Sequence, residues 1–157
     1  MTFTLVDQIS KRFPEKEVYL FSPKDFRRPS EEKSQYEFEI LPWGPEIQLS
    51  LLSPSLEYVN TNDYSSEVID SVRHVLSNSH SIIDINGYAF SSQMGFNPSL
   101  LYITNIQIAK KYSCPMYIFP QSIGPFNYST AEKAVLYPLM HKYLSYPELI
   151  CARESAG

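Results

Sequence analysis

Short apolar runs alternate along the chain with longer stretches in which apolar residues recur at helical spacing. The short runs, rich in β-branched and aromatic side chains, predict strands near residues 18–21, 36–41, 81–85, 116–119 and 148–152. The longer stretches predict helices over residues 2–13, 63–78, 98–111 and 129–144. This alternation predicts an α/β fold with a Rossmann-like parallel sheet and helices on both faces.

Other segments have weaker patterns. Residues 24–33 are charged and contain Pro29, which predicts a solvent-exposed loop, and Val18–Phe21 is interpreted as a strand buried on both faces. Within residues 45–62, the spacing of Leu49, Leu51 and Leu52 suggests a turn of helix. Because the pattern opens on a helix and closes just past a strand, we expect a single, incomplete α/β domain over residues 1–157 that lacks its usual first strand.

Composition excludes several classes of protein. Hydrophobic residues make up 43% and charged residues 19% of the 157 positions, which indicates a folded globular chain. A net charge of −4 without a cluster of Lys and Arg argues against a nucleic-acid partner. The five glycines fit neither the G-x-G-x-x-G turn nor a Walker A loop.

Cellular location is inferred from cysteine usage and from the apolar stretches. Cys114 and Cys151 each lie in an apolar run, which is typical of reduced, buried thiols and of a cytoplasmic protein. The sequence shows no signal peptide, and polar residues interrupt its least charged stretch, 85–109. We therefore expect no transmembrane segment.

Candidate chemistry lies just after the last three predicted strands, since ligands of open parallel sheets bind beyond the carboxyl ends of the strands. The segments are 86–95, 120–125 and 153–155, and we expect them to meet at one sheet edge. Their candidate substrate-binding residues are Asn86, Gly87, Gln121, Ser122, Gly124, Arg153 and Ser155.

Each candidate also has a purely structural interpretation. Gly87 and Gly124 either serve a tight turn or let backbone N–H groups approach an anion or a sugar hydroxyl. Gln121 and Ser122 suit carbohydrate hydroxyls but are also common turn residues. Arg153 either grips a carboxylate or phosphate or pairs with an acid such as Glu154.

Other kinds of site find no support in the sequence. No cluster of His, Cys or acidic residues has metal-ligand spacing, so no metal is expected. The nucleophile motif G-x-S-x-G is absent. His74, His80 and His141 are interpreted as surface or boundary residues.

Three motifs together resemble the polysaccharide pyruvyl transferase family. They are Asp84-Ile-Asn-Gly-Tyr-Ala-Phe, Pro120-Gln-Ser-Ile-Gly-Pro-Phe and Cys151-Ala-Arg-Glu-Ser, and the opening segment 1–22 is also similar to that family. The resemblance covers nearly the whole chain, and Gln-Ser-Ile-Gly-Pro is its most specific part.

The resemblance implies the N-terminal lobe of a two-lobed, GT-B-like transferase. Phosphoenolpyruvate would be the donor, and the acceptor would be a sugar of a cell-surface or exopolysaccharide repeat unit, which could be lipid-linked; no cofactor is implied. Because the sequence opens on a helix and closes just past a strand, we expect this chain to lack the glycine-containing loop after the family's first strand and the second lobe. Because the groups expected to hold phosphoenolpyruvate lie largely in that lobe, we expect the chain alone to be inactive, with its general acid elsewhere.

Two other functions stay open. One is a glycosyltransferase of the same architecture that uses a nucleotide sugar, since a fold does not determine a function. The other is a non-catalytic sugar-binding or assembly domain, which would explain why the sequence offers no complete set of acid and base groups.

Overall fold

The computed structural model describes residues 2–53 and 64–153. Along these residues the helices and strands follow in the order α1 (Thr2–Arg12), β1 (Tyr19–Phe21), α2 (Pro23–Phe26), α3 (Ser30–Lys33), β2 (Glu39–Leu41), α4 (Pro45–Leu52), α5 (Ser66–Asn78), β3 (Ile82–Asp84), α6 (Phe96–Lys111), β4 (Met116–Gln121), α7 (Thr130–Tyr143) and β5 (Leu149–Ala152). The chain divides into two compact units, Met1–Val72 and Arg73–Gly157.

The first unit contains a two-stranded parallel sheet in which Leu20 of β1 lies opposite Ile40 of β2. Parallel strands need a crossover connection, and here α2 and α3 lie within it. Val6, on the apolar stripe of α1, packs with Leu20 and Ile40 to form a small core. Partly buried aromatic side chains surround this core.

The second unit contains a three-stranded parallel sheet in the order β3, β4, β5. Helices α6 and α7 are the crossovers, so the chain forms two successive βαβ units. A capping box starts α7, because the Ser129 hydroxyl accepts from the Glu132 backbone N–H while the Glu132 carboxylate accepts from the Ser129 N–H. The buried core is formed by Phe90, Tyr102, Ile103, Ile106, Ala109, Met116, Ile118 and Tyr143.

The parallel α/β fold class is confirmed: among the described residues, β1 and β2 form one small parallel sheet and β3, β4 and β5 form another. The exposed loop predicted over 24–33 instead contains α2 and α3. Strand β1 is half-buried rather than buried on both faces.

Element boundaries also differ locally. Strand β4 continues to Gln121, two residues past its predicted end, and α6 begins at Phe96, before the predicted start at Pro98. Cys114 is buried as predicted, but Cys151 is only partly buried because β5 lies at the edge of its sheet. Asp63, the first residue of the helix predicted over 63–78, lies outside the described residues. No helix in the described ranges has both the length and the apolar character needed to cross a membrane.

Candidate functional site

The loop that follows β3 is tied to the loop that follows β4. The Ser122 N–H donates to the Gly87 carbonyl at 2.9 Å, and the Gly124 N–H donates to the Phe90 carbonyl at 3.0 Å. Both glycines have positive φ, +67° at Gly87 and +81° at Gly124. The chain therefore uses glycine where both loops adopt a backbone conformation that other residues rarely take.

A break in the alternation of β4 buries Gln121. The register with β5 shifts between Ile118, which faces Ile150, and Gln121, which faces Ala152, so one extra residue is accommodated in β4. A bulge of this kind redirects the side chains that follow it. Gln121 is consequently fully buried, while Pro120, which lacks an N–H, is exposed.

The end of β5 brings Arg153 to the same place. Its backbone N–H donates to the Gln121 carbonyl at 2.8 Å, and its guanidinium donates through Nη2 to the Ser122 hydroxyl. The Arg153 residue is exposed, whereas Ser122 is buried. The expected convergence of the last three strand ends is therefore confirmed for the described residues.

A buried carboxylate lies beneath these loops. Asp84 Oδ1 accepts from the backbone N–H of Asn86 at 2.8 Å and from Gln121 Nε2 at 3.2 Å. Asp84 Oδ2 accepts longer bonds, each 3.4 Å, from the side-chain amides of Asn86 and Asn105. Burial raises the pKa of Asp84, and the hydrogen bonds from these amides oppose that rise.

A comparison with known protein families places the whole chain in one family. The family model described as polysaccharide pyruvyl transferase matches residues 1–157, the whole chain. The chain belongs to this family. No match was found among curated proteins or among solved structures.

Membership in the polysaccharide pyruvyl transferase family implies a transferase with a saccharide acceptor. The loops described above are the segments that carry the motifs on which the resemblance rests. Asn86, Gly87, Gln121, Ser122, Gly124 and Arg153 lie together at the carboxyl ends of β3, β4 and β5. Ser155 lies outside the described residues.

Sequence reasoning missed two residues of this polar cluster. Asp84 is the last residue of β3 and could have been noticed as an acid inside the apolar run Ile82 to Ile85. Asn105 lies on α6, 21 positions further along the chain, and no local pattern distinguishes it from any other polar residue of that helix.

Two alternative kinds of site have less support than this cluster. The described part of the chain contains no group of three or more His, Cys, Asp or Glu residues that could hold a metal ion. A groove of about 570 Å³ lies in the first unit, where Lys11, Lys16, Glu17, Glu37 and Glu39 contribute to its lining. It borders the amino-terminal ends of β1 and β2, the end of a parallel sheet at which ligands are not expected.

Proposed function

We propose that this protein transfers a pyruvyl group from phosphoenolpyruvate to two hydroxyls of one sugar in a polysaccharide repeat unit. The products are a cyclic ketal and inorganic phosphate. The proposal rests on family membership together with one observation, the convergence of three loops that carry a guanidinium, a hydroxyl and amides.

The reaction sets the requirements for such a site. A proton adds to the terminal enol carbon, the adjacent carbon becomes oxocarbenium-like, and one sugar hydroxyl attacks it and loses its proton. The carbon–oxygen bond to phosphate then breaks, and the second hydroxyl attacks the same carbon and releases its own proton. Cations are needed against the donor's phosphate and carboxylate, and hydrogen-bonding groups are needed to orient the hydroxyls.

Arg153 is the candidate anion contact. Residues 86–95 and 120–126 contain no Lys or Arg, so Arg153 is the cationic side chain that these three converging segments supply. A planar guanidinium can bind a carboxylate or phosphate through two parallel hydrogen bonds. Its guanidinium contacts the Ser122 hydroxyl, which belongs to the first residue after β4.

Neutral groups at the same edge suit the acceptor. The Asn86 residue is exposed beside Gly87, and its side chain offers both a donor and an acceptor to sugar hydroxyls. Gln121 is fully buried, so we assign it a structural role beneath the substrates and no direct contact with them. The general acid is not assigned to a residue of this chain.

A competition between donors tests the proposed function. The full-length protein is incubated with phosphoenolpyruvate or with nucleotide sugars, and with a panel of glycosides that carry neighbouring hydroxyl pairs. We expect phosphate release only from phosphoenolpyruvate, with a matching ketal product identified by mass spectrometry. Sugar transfer from a nucleotide sugar would replace the proposal with a glycosyltransferase, and saccharide binding without turnover of either donor would indicate a non-catalytic sugar-binding domain.

A further inference from the structure

Asp84 connects four parts of the second unit. The carboxylate belongs to β3, and its hydrogen-bond donors come from the following loop, from α6 and from the end of β4. Only 7% of Asp84 is exposed to solvent. A carboxylate at this depth is stabilised by several donors rather than by water.

The orientation of Gln121 depends on this carboxylate. Gln121 Nε2 donates to Asp84 Oδ1, whereas the buried Gln121 Oε1 has no hydrogen-bond partner among the residues that the structure describes. The bond to Asp84 therefore determines which way the amide points. In turn, the Gln121 carbonyl holds the backbone of Arg153, and the next residue, Ser122, contacts the Arg153 guanidinium.

We propose that Asp84 is a positioning residue, which fixes the Asn86 backbone and the Gln121 amide and thereby sets where Asn86 and Arg153 meet the substrates. The inference rests on the proposed function for the identity of those substrates. Asp84 itself is enclosed and is assigned no contact with the reacting atoms. What it supplies is a hydrogen-bond acceptor at one fixed point.

This role predicts different results for two substitutions of one residue. Asp84→Asn keeps a carbonyl oxygen in place of Oδ1, which can accept from both the Asn86 N–H and Gln121 Nε2, and it loses only the two 3.4 Å bonds that Oδ2 accepts. The positioning of Asn86 and Gln121 is therefore retained. Asp84→Leu has similar bulk but no acceptor, so it removes the hydrogen bonds from four donors, the Asn86 backbone N–H and the side-chain amides of Asn86, Asn105 and Gln121. The rescue by asparagine separates a positioning role from a role that requires the negative charge.

Kinetics of the full-length protein with phosphoenolpyruvate provide the functional test. We expect Asp84→Leu to raise KM about tenfold, the scale of a coupling between neighbouring residues, and Asp84→Asn to stay close to wild type. Gln121→Met, which keeps the length of the side chain and loses its amide, should raise KM like Asp84→Leu and provides the test if the leucine variant does not fold. Gln48→Met replaces a buried glutamine on α4 of the first unit and should leave KM unchanged.

Side-chain NMR tests the positioning without any turnover. In wild type and Asp84→Asn, we expect the Gln121 side-chain amide protons to be protected from exchange and the Arg153 guanidinium resonances to be unchanged. Asp84→Leu should lose that protection and shift the Arg153 signals, and Gln121→Met should shift them as well. These signals are measured without phosphoenolpyruvate. They therefore distinguish a failed positioning role from a failed assignment of phosphoenolpyruvate as the substrate.

Two results would overturn the inference. One is a rise in KM for Asp84→Asn as large as the rise for Asp84→Leu, which would show that the negative charge is required. The other is a Gln121 amide that exchanges freely in the wild-type protein, which would show that Asp84 does not hold it.

Discussion

The strand ends of both units have an aspartate nearby, but different kinds of group hold the two carboxylates. After β1, Asp25 accepts from the Ser22 hydroxyl at 2.6 Å and from Arg28 Nε at 2.7 Å. At the end of β3, Asp84 accepts from amides of Asn86, Asn105 and Gln121. The first arrangement balances one charge with its opposite, and the second surrounds a charge with neutral dipoles.

The two arrangements also differ in their span along the chain and in their electrostatics. The contacts of Asp25 lie three residues away and cap the one-turn helix α2, whereas those of Asp84 reach 37 positions, to Gln121. The bond from Ser22 is the main reason that the pKa of Asp25 is lowered, while burial raises the pKa of Asp84. A local cap stabilises its own turn, but a buried acceptor can align separate loops.

The largest expected difference between the two regions is in activity. Arg153→Lys keeps the charge but loses the planar fork, so use of phosphoenolpyruvate should fall about 10- to 100-fold, as for a charged hydrogen bond of about 1.5–3 kcal/mol. Arg28→Lys is the matched change in the first unit and should leave activity unchanged. Steady-state kinetics and thermal melting of the full-length protein measure both. A melting temperature lowered by several degrees with intact kinetics would make Arg153 a structural residue instead.

A pair of glycine substitutions compares the backbone of the two regions. Gly87 has a φ of +67°, and a methyl group added there would meet no close neighbour, since the nearest atom is the Ile85 carbonyl oxygen at 3.8 Å. Gly87→Ala should therefore cost about 1–2 kcal/mol of unfolding free energy through conformation alone. Gly44 is extended, with a φ of 164°, so Gly44→Ala should be close to neutral. Urea unfolding measures both, and equal costs would contradict the strained turn at Gly87.

The dependence of stability on pH should have opposite signs for the two aspartates. In the folded state Asp84 binds its proton more tightly than an unfolded carboxyl of pKa about 3.9. The wild type therefore loses stability as pH rises from the unfolded pKa through the higher folded pKa. Stability of Asp84→Asn relative to wild type should thus increase with pH. The pKa of Asp25 is shifted in the opposite direction, so the wild type loses stability as pH falls. The free energy of unfolding of Asp25→Asn relative to wild type should therefore decrease as pH rises. Urea unfolding at a series of pH values gives both slopes, and slopes of the same sign would contradict the opposite environments.

The smallest expected effect concerns the ion pairs of the first unit. Arg28 donates to Asp25 and to Glu32 at 3.2 Å, and about a third of its side chain, 35%, is exposed. Solvent screens such a pair, so Arg28→Met should lower the urea midpoint of unfolding only slightly, and less at high salt. A large fall in the urea midpoint that does not change with salt would show that the stability of the first unit depends on this network more than we infer.

Much of this fold and of the candidate site could be predicted from the sequence. Apolar runs and helical spacing identified all of the larger elements, and the rule about parallel strand ends brought Gly87, Ser122 and Arg153 together correctly. The bulge that buries Gln121 was not anticipated, although Pro120 within the run was a signal for it. Asn105 depends on a contact between α6 and β3, and such long-range contacts leave no local pattern.

The central claim, that substrates bind where β3, β4 and β5 end, is tested most directly by NMR titration of the full-length protein with phosphoenolpyruvate. We expect the backbone amide signals of Gly87, Ser122, Gly124 and Arg153 to shift together with a single dissociation constant, and those of residues 22–28 to stay unchanged. Shifts confined to the groove lined by Lys11 and Lys16 in the first unit, with the loops of the second unit unaffected, would contradict the account.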